Sequence, residues 1–221
     1  MRVAALNDVH GNLPALEAVL AEVAAIEVDR IVCGGDIVAG PFPHECLQRL
    51  LDHDSIFVRG NGDREPGDWV EAQLDQGSLA FLRALPTSIA VNGVRYCHGS
   101  PRSDEEILTR VSSEERMRAA LEGVSERVVV GGHTHIQFER EVGGTRFVNA
   151  GSVGRPYEGR PGAFWALLDE RQVELRRTAY AVDAAIALIR SSGYPDDAFV
   201  DNLLEPPDPD EISVYFESLA A

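Results

Sequence analysis

Short runs of apolar residues, rich in Val, Ile, Leu and Ala, recur along the chain and end in glycine or in a polar residue. Short runs bounded by turn-forming residues predict buried β-strands. Asn92-Gly93 and Gly143-Gly144 interrupt this pattern in a way that predicts hairpin turns between neighbouring strands. The strands predicted in this way cover residues 2–6, 31–33, 55–58, 89–91, 94–97, 128–130, 138–142, 146–148, 163–168 and 173–175.

Between these runs, apolar residues recur three or four positions apart, which predicts helices with one buried face. In the first such segment, Pro14 suits the first helical turn, and Leu16, Val19, Leu20 and Val23 lie on one face. The other segments with this spacing are 44–51, 68–85 (one or two helices), 112–121, 182–189 and 211–219. Strands that alternate with helices predict an α/β fold.

Length and composition limit the class of protein. A chain of 221 residues is long enough for one sizeable core or at most two small domains. No apolar run is long enough to span a bilayer, and the run 1–6 is too short for the apolar core of a signal peptide. The three cysteines are an odd number without Cys-x-x-Cys spacing, which argues against a disulfide framework and predicts a cytoplasmic location.

The net charge of −16 disfavours partners that are themselves anionic. Such a surface repels nucleic-acid backbones and anionic membranes, so we expect neither a long nucleic acid nor a membrane as a partner. A small phosphate substrate is still allowed, because bound cations dominate the field inside a pocket. We interpret most of the charge as serving solubility.

Polar side chains of the types that bind metal ions follow five of the predicted strands. Loops at strand ends of an α/β sheet form its usual ligand site, and Asp8 and His10 would share one side of an extended chain. Each motif alone has an ordinary explanation, such as a helix cap, a turn, or the tight Asn61-Gly62 turn. Together they favour a metal site with the candidate ligands Asp8, His10, Asp36, Asn61, His98, His133 and His135.

The series Asp-x-His, Gly-Asp, Gly-Asn-x-Asp, His-Gly and Gly-His-x-His resembles the calcineurin-like metallophosphoesterase superfamily. The stretches Asp-Val-His-Gly-Asn at 8–12, His-Gly-Ser-Pro at 98–101 and Asn-Ala-Gly-Ser-Val-Gly at 149–154 are similar to its compact bacterial and archaeal phosphodiesterase branch. The resemblance implies an α/β fold, a four-layer α-β-β-α sandwich of two mixed β-sheets flanked by helices. It implies a single domain over 1–221, with a motif-bearing core at about 1–180 and a C-terminal extension without motifs at about 181–221.

The resemblance also implies a centre of two divalent metal ions. Asp8, His10 and His135 would hold the first ion, Asn61, His98 and His133 the second, and Asp36 would bridge both. Seven nitrogen and oxygen ligands are more than one ion needs, and no cysteine lies among them. This donor set is compatible with Mn²⁺, which we prefer, and with Fe, Zn²⁺, Ni²⁺ or Co²⁺.

The implied activity is metal-dependent hydrolysis of phosphodiesters by a metal-bridging hydroxide. The substrate would be a small phosphoester or a nucleotide, for example a diadenosine polyphosphate or a cyclic nucleotide. The alternative is a non-catalytic protein-interaction scaffold, because the same fold serves as such a module in the retromer complex. Loss of metal ligands would favour the scaffold, and none is missing here. The sequence leaves the oligomeric state open, a homo-oligomer included.

One position departs from the superfamily pattern. Gly62 stands where many members have a histidine that could protonate the leaving group. We therefore expect slower hydrolysis of alkyl esters than of phenolate or nucleotide esters. Candidate phosphate contacts are Asn12, at a helix N-terminus, and Arg64 and Arg155, next to motifs. A helix cap or a solvent-exposed arginine explains each of them equally well.

Overall fold

Ten β-strands and nine helices make up the part of the chain that the computed structural model describes, residues 1–170 and 172–220. The strands are β1 (Arg2–Leu6), β2 (Arg30–Cys33), β3 (Ile56–Phe57), β4 (Ser88–Val91), β5 (Val94–Cys97), β6 (Val128–Gly131), β7 (Phe138–Val142), β8 (Thr145–Asn149), β9 (Ala163–Asp169) and β10 (Gln172–Thr178). The helices are α1 (Leu13–Ala25), α2 (Pro43–Asp52), α3 (Asn61–Arg64), α4 (Asp68–Glu71), α5 (Gln76–Ala84), α6 (Glu114–Ala120), α7 (Val182–Ser192), α8 (Asp197–Leu204) and α9 (Pro209–Leu219).

The strands form two mixed sheets of five strands each. The order of the first sheet is β10-β9-β1-β2-β3, in which β1, β2 and β3 are parallel and β9 is antiparallel to both of its neighbours. The order of the second sheet is β4-β5-β6-β8-β7, in which β5, β6 and β8 are parallel and the two edge strands are antiparallel. The parallel strands of each sheet therefore end at one edge.

Alternating side chains of the central strands divide the core into layers. Val3 of β1 belongs to the cluster between the two sheets, together with Val128 of β6. Ala4 packs on the opposite side with residues of α1 and α2, while Val129 packs with Met117 of α6 on the outer face of the second sheet. The molecule is therefore the predicted four-layer α-β-β-α sandwich, with helices outside both sheets.

Several element boundaries differ from the sequence-based prediction. The segment 68–85, predicted as one or two helices, forms two, α4 and α5, separated by residues 72–75. The third strand is shorter than predicted, since only Ile56 and Phe57 pair with β2. Helix α9 begins at Pro209, two residues earlier than predicted, because the side chain of Asp208 caps it. Helix α8 was missed; its apolar residues Phe199, Val200 and Leu203 pack with α7.

Two findings concern predictions about the environment of the protein. No helix among residues 1–170 and 172–220 is long and apolar enough to cross a membrane. Cys33, Cys46 and Cys97 are all free thiols in the interior. The cytoplasmic location predicted from these cysteines stays a prediction.

Candidate metal centre

The edge at which the parallel strands end carries all seven predicted metal ligands. Loops after β1 and β2 carry Asp8, His10 and Asp36, the first residue of α3 after β3 is Asn61, and loops after β5 and β6 carry the other three histidines. Hydrogen bonds join the loops of the two sheets: the backbone N–H of His133 donates to Asp8 Oδ2 over 3.0 Å. The centre is therefore assembled from both sheets.

The chain at Asp8 and His10 is left-handed, so the predicted extended geometry is wrong. The φ angles are 54° at Asp8 and 47° at His10. The loop turns in this way because Asp8 N–H donates to Gly35 O and His10 N–H donates to Asp36 O, which pairs it with the loop after β2. Asp36, His133 and His135 also have positive φ, at 52°, 67° and 58°. Such strained backbone is concentrated at functional sites.

Three of the four histidines have their orientation fixed by a backbone carbonyl. The Nδ1 atoms lie 3.0 Å from Ala39 O for His10, 2.9 Å from Gly34 O for His98 and 2.7 Å from Arg155 O for His135. A neutral imidazole that donates its Nδ1–H to a carbonyl presents a lone pair on Nε2. These contacts thus prepare three nitrogen donors that face the carboxylates.

The Nε2 atoms converge on two carboxylates. Asp8 Oδ1 lies 3.2 Å from His135 Nε2 and 3.8 Å from both His10 Nε2 and His98 Nε2. Asp36 directs Oδ1 towards His98 (3.5 Å) and Oδ2 towards His10 (3.6 Å). The donors form two overlapping sets, Asp8 with His10 and His135, and Asp8 with Asp36 and His98. The family resemblance implies that Asp36 alone is a ligand of both metal ions, whereas the geometry places Asp8 in both sets of donors.

Asn61 and His133 lie at the same edge. Asn61 begins α3, and the His133 ring is 5.0 Å from that of His98. Nine buried side-chain polar atoms of the described residues lack a hydrogen-bond partner, and three of them belong to predicted ligands: Asp8 Oδ1, Asn61 Oδ1 and His98 Nε2. Buried polar atoms are rarely left unpaired, and Asp8 Oδ1 lies only 3.8 Å from His98 Nε2, which indicates a bound group between these two atoms. All three are of types that ligate divalent metals, and the residues present therefore fit the implied ions.

The crowded carboxylates and imidazoles shift each other's pKa values. Burial lowers the pKa of His98, but the carboxylates of Asp36 and Asp8 outweigh burial and raise it to about 10. Burial, together with the neighbouring imidazoles, lowers the pKa of both His10 and His133 to about 4. Burial raises the pKa of Asp36, yet His98 and His10 hold it well below its usual range. In the metal-free cluster the Asp36 carboxylate is therefore ionised, His98 is protonated at neutral pH, and His10 and His133 are neutral.

A residue that sequence reasoning did not single out fixes two of the loops. Asp63 Oδ1 accepts hydrogen bonds from the N–H groups of Ile37 (2.8 Å) and Val38 (3.3 Å), and its Oδ2 accepts from Gly60 N–H (3.0 Å). Burial and the nearby Asp36 raise the pKa of Asp63 to about 7. The sequence did contain a sign of this role, because Asp63 is the last residue of the motif Gly-Asn-x-Asp. Its carboxylate binds backbone N–H groups of two loops instead of a metal ion.

The structure gives a reason for glycine at position 62. Its N–H donates to Asp36 Oδ1 over 2.7 Å. A Cβ at this position would lie 2.8 Å from the Ala39 Cβ and 3.0 Å from Asp36 Oδ1, which is too close for a side chain without local movement. The side chains of Ala39 and Asp36 thus take up the space that a Cβ at this position would need.

The three candidate phosphate contacts have different surroundings. Asn12 is fully buried; it caps α1 by accepting from Ala15 N–H and donates to Gly154 O, so we withdraw it as a phosphate contact. Arg64 bonds Glu105 and lies 3.7 Å from Asp104. Arg155 lies 3.2 Å from Asp196, and its charge helps to lower the pKa of His10, which places it near the centre.

Comparison with known proteins also indicates a phosphoesterase. The Calcineurin-like phosphoesterase superfamily domain matches residues 1–172. The uncharacterized protein MJ0912 of Methanocaldococcus jannaschii is 27% identical over 88% of this chain and 94% of its own length. Phosphodiesterase YfcE of Escherichia coli is 27% identical over 76% of this chain and 87% of its own length. The crystal structure of a metallophosphoesterase from Sphaerobacter thermophilus superposes with a TM-score of 0.81 at 28% identity, covering 93% of this chain and all of that one. The chain therefore belongs to the calcineurin-like phosphoesterase superfamily.

Proposed function

We propose that this protein is a phosphodiesterase that uses two divalent metal ions to hydrolyse small, nucleotide-derived phosphodiesters. The observation that carries the proposal is the convergence of buried ligand atoms in two overlapping sets, Asp8 with His10 and His135, and Asp8 with Asp36 and His98. The similarity to a protein named phosphodiesterase supports the reaction class. Because the donors are nitrogen and oxygen only, we propose Mn²⁺ as the working metal, with Fe, Zn²⁺, Ni²⁺ or Co²⁺ as alternatives.

Two divalent cations held by the predicted ligands would activate water and polarise the phosphoryl oxygens. The protein's part is to fix the donors before substrate arrives. The carbonyls of Ala39, Gly34 and Arg155 fix the three histidine rings, and His133 N–H fixes Asp8. The guanidinium of Arg155 would bind a phosphate oxygen beside the metals. Asp36 and Asp8 offset the charge of the cations.

Gly62 determines which leaving groups we expect the protein to favour. With glycine there, and no room for a larger side chain without movement, this position supplies no acid for the departing oxygen. Phenolates leave without a proton, whereas simple alkoxides need one. We therefore expect diesters with a phenolate or a nucleotide as the leaving group to be hydrolysed faster than dialkyl esters, as measured with matched aryl and alkyl diesters. Equal rates for both classes would contradict this expectation.

The activity is tested with bis-p-nitrophenyl phosphate. Chelator-stripped protein should be inactive, added Mn²⁺ should restore hydrolysis, and His133→Ala and Asp36→Asn should both abolish it. A variant of a surface histidine outside the cluster, His53→Ala, serves as the matched control and should stay active. Absence of activity with every divalent ion, in folded metal-bound protein, would instead support the protein-interaction scaffold.

A further inference from the structure

A line of aromatic rings leads from the metal centre to the surface. Tyr157 stacks on the ring of His135, with ring centroids 4.7 Å apart and planes at 24°. Phe216 of α9 follows at 6.3 Å from Tyr157, and Tyr215 follows at 6.0 Å from Phe216. Tyr157 and Phe216 are partly exposed, and Tyr215 is 56% exposed. The rings thus form a continuous aromatic surface that begins at a predicted metal ligand.

The C-terminal helix that carries two of these rings is firmly held. Glu217 accepts hydrogen bonds from Thr109 Oγ1 (2.6 Å) and Ser112 Oγ (2.5 Å), and it pairs with Arg116 over 2.9 Å. Arg110 also bonds Asp210, at the start of the same helix. Because α9 is tied at both ends to the 107–116 segment, Phe216 and Tyr215 keep fixed positions beside Tyr157.

The first ring lies next to the centre. The Tyr157 N–H donates to His135 O over 3.2 Å, so the backbone as well as the stacked ring of Tyr157 lies against this predicted ligand. Arg155, two positions earlier, carries the positive charge proposed to bind phosphate. A phosphoester held at the metals and at Arg155 would therefore have a substituent directed along the aromatic line.

We propose that Tyr157, Phe216 and Tyr215 form a subsite for a planar aromatic group carried by the phosphoester. This inference rests on the proposed function, because it needs a phosphate group anchored at the metals. Aromatic rings recognise planar rings by stacking, independently of their hydrogen-bonding pattern. The preference of this subsite for an aromatic group agrees with the preference expected from Gly62, since a centre without an acid at that position favours aryl leaving groups. It also gives the C-terminal extension a role in substrate choice.

The test measures binding rather than turnover. Isothermal titration of the Mn²⁺-loaded protein compares inorganic phosphate, phenyl phosphate and cyclohexyl phosphate, whose two rings have similar size but differ in planarity. Phenyl phosphate should bind about 2- to 10-fold more tightly than cyclohexyl phosphate. Tyr157→Leu should remove this preference, and Tyr157→Phe, which keeps the ring, should retain it.

The control with inorganic phosphate separates the two proposals. If the metal-loaded protein does not bind inorganic phosphate, the proposed function fails and the subsite falls with it. If inorganic phosphate binds but phenyl phosphate has no advantage, the subsite alone is overturned. Should Tyr157→Leu lose inorganic phosphate as well, Phe216→Leu decides: loss of the preference supports the subsite, and retention overturns it.

Discussion

At the scale of single residues, the centre depends on backbone conformations that residues other than glycine rarely adopt. Five of the seven predicted ligands have φ between 47° and 67°. A residue in such a conformation costs of order 1–3 kcal/mol, so the surrounding hydrogen bonds must hold it there. The types of ligand could be predicted from the sequence, because Asp, Asn and His follow the strands. Their backbone conformation could not, since it depends on contacts with loops far along the chain.

Gly132 shows how closely the backbone approaches the ligands. A Cβ on Gly132 would overlap the carboxylate of Asp8 and the amide of Asn7, and the Asp8 side chain is held by His133 N–H. We predict that Gly132→Ala weakens Mn²⁺ binding by about 10- to 100-fold, because Asp8 is pushed away. Metal titration of the stripped protein measures this. Gly123→Ala is the control: its φ of 79° strains an alanine, but a Cβ there meets nothing within 4 Å and the residue precedes β6, at the end opposite to the ligands, so the affinity should stay unchanged.

His98 makes metal binding depend on pH. Its pKa of about 10 means that the metal-free protein holds a proton on His98 at neutral pH, which a metal must displace. We predict that the affinity for Mn²⁺ rises about tenfold per pH unit, from titrations at pH 6.5, 7.5 and 8.5. An affinity that does not change over this range would show that His98 is already neutral.

At the scale of elements, the parallel strands were predictable and the C-terminal helices only in part. Runs such as Val128–Gly131 are apolar on both faces because the sheet is buried between layers. Helix α8 could not be predicted from the sequence, because it is short and carries Asp197 and Asp201 among its apolar residues. Packing on α7 stabilises it. The proline-rich stretch 205–210 predicts a loop, but α9 begins within it, because proline is compatible with the first helical turn and Asp208 caps it.

Glu217 links the last helix to the metal centre. Its partner Thr109 follows Leu108, whose carbonyl accepts a hydrogen bond from Thr134 Oγ1, between two predicted ligands. We predict that Glu217→Gln lowers the free energy of unfolding by about 1–3 kcal/mol, because an amide replaces a carboxylate that pairs with Arg116. Urea denaturation measures this change. Glu211→Gln, exposed on the same helix, is the matched control, and an equal effect there would contradict the role of Glu217.

At the scale of the molecule, the metal ions should contribute directly to stability. A ligand that binds only the folded state at 100 times its Kd stabilises by about 2.7 kcal/mol. For a chain of this length that corresponds to a rise in Tm of about 5–10 °C. We predict such a rise when Mn²⁺ is added to stripped protein, followed by scanning calorimetry. Asp36→Asn should show a much smaller rise, and an unchanged Tm in the parent protein would argue against a metal centre.

The predicted single domain with a C-terminal extension remains a prediction, although the extension packs closely on the rest. Arg155 pairs with Asp196, and Phe199 lies under the same guanidinium at 5.4 Å. These contacts join residues before and after position 181, and no pattern in either segment could have predicted the pairing. Only the folded structure brings them together.

The separation of the ligands along the chain has a consequence for synthesis in the cell. His10 and His135 lie 125 positions apart, yet their Nε2 atoms are 3.0 Å apart. At about 5–20 residues per second, a ribosome makes the second histidine roughly 6–25 s after the first. His10 therefore has no His135 to pair with until residues 11–134, which include strands of both sheets, have been made. Under the proposed function, the metal ions would therefore bind late, after loops of both sheets have come together.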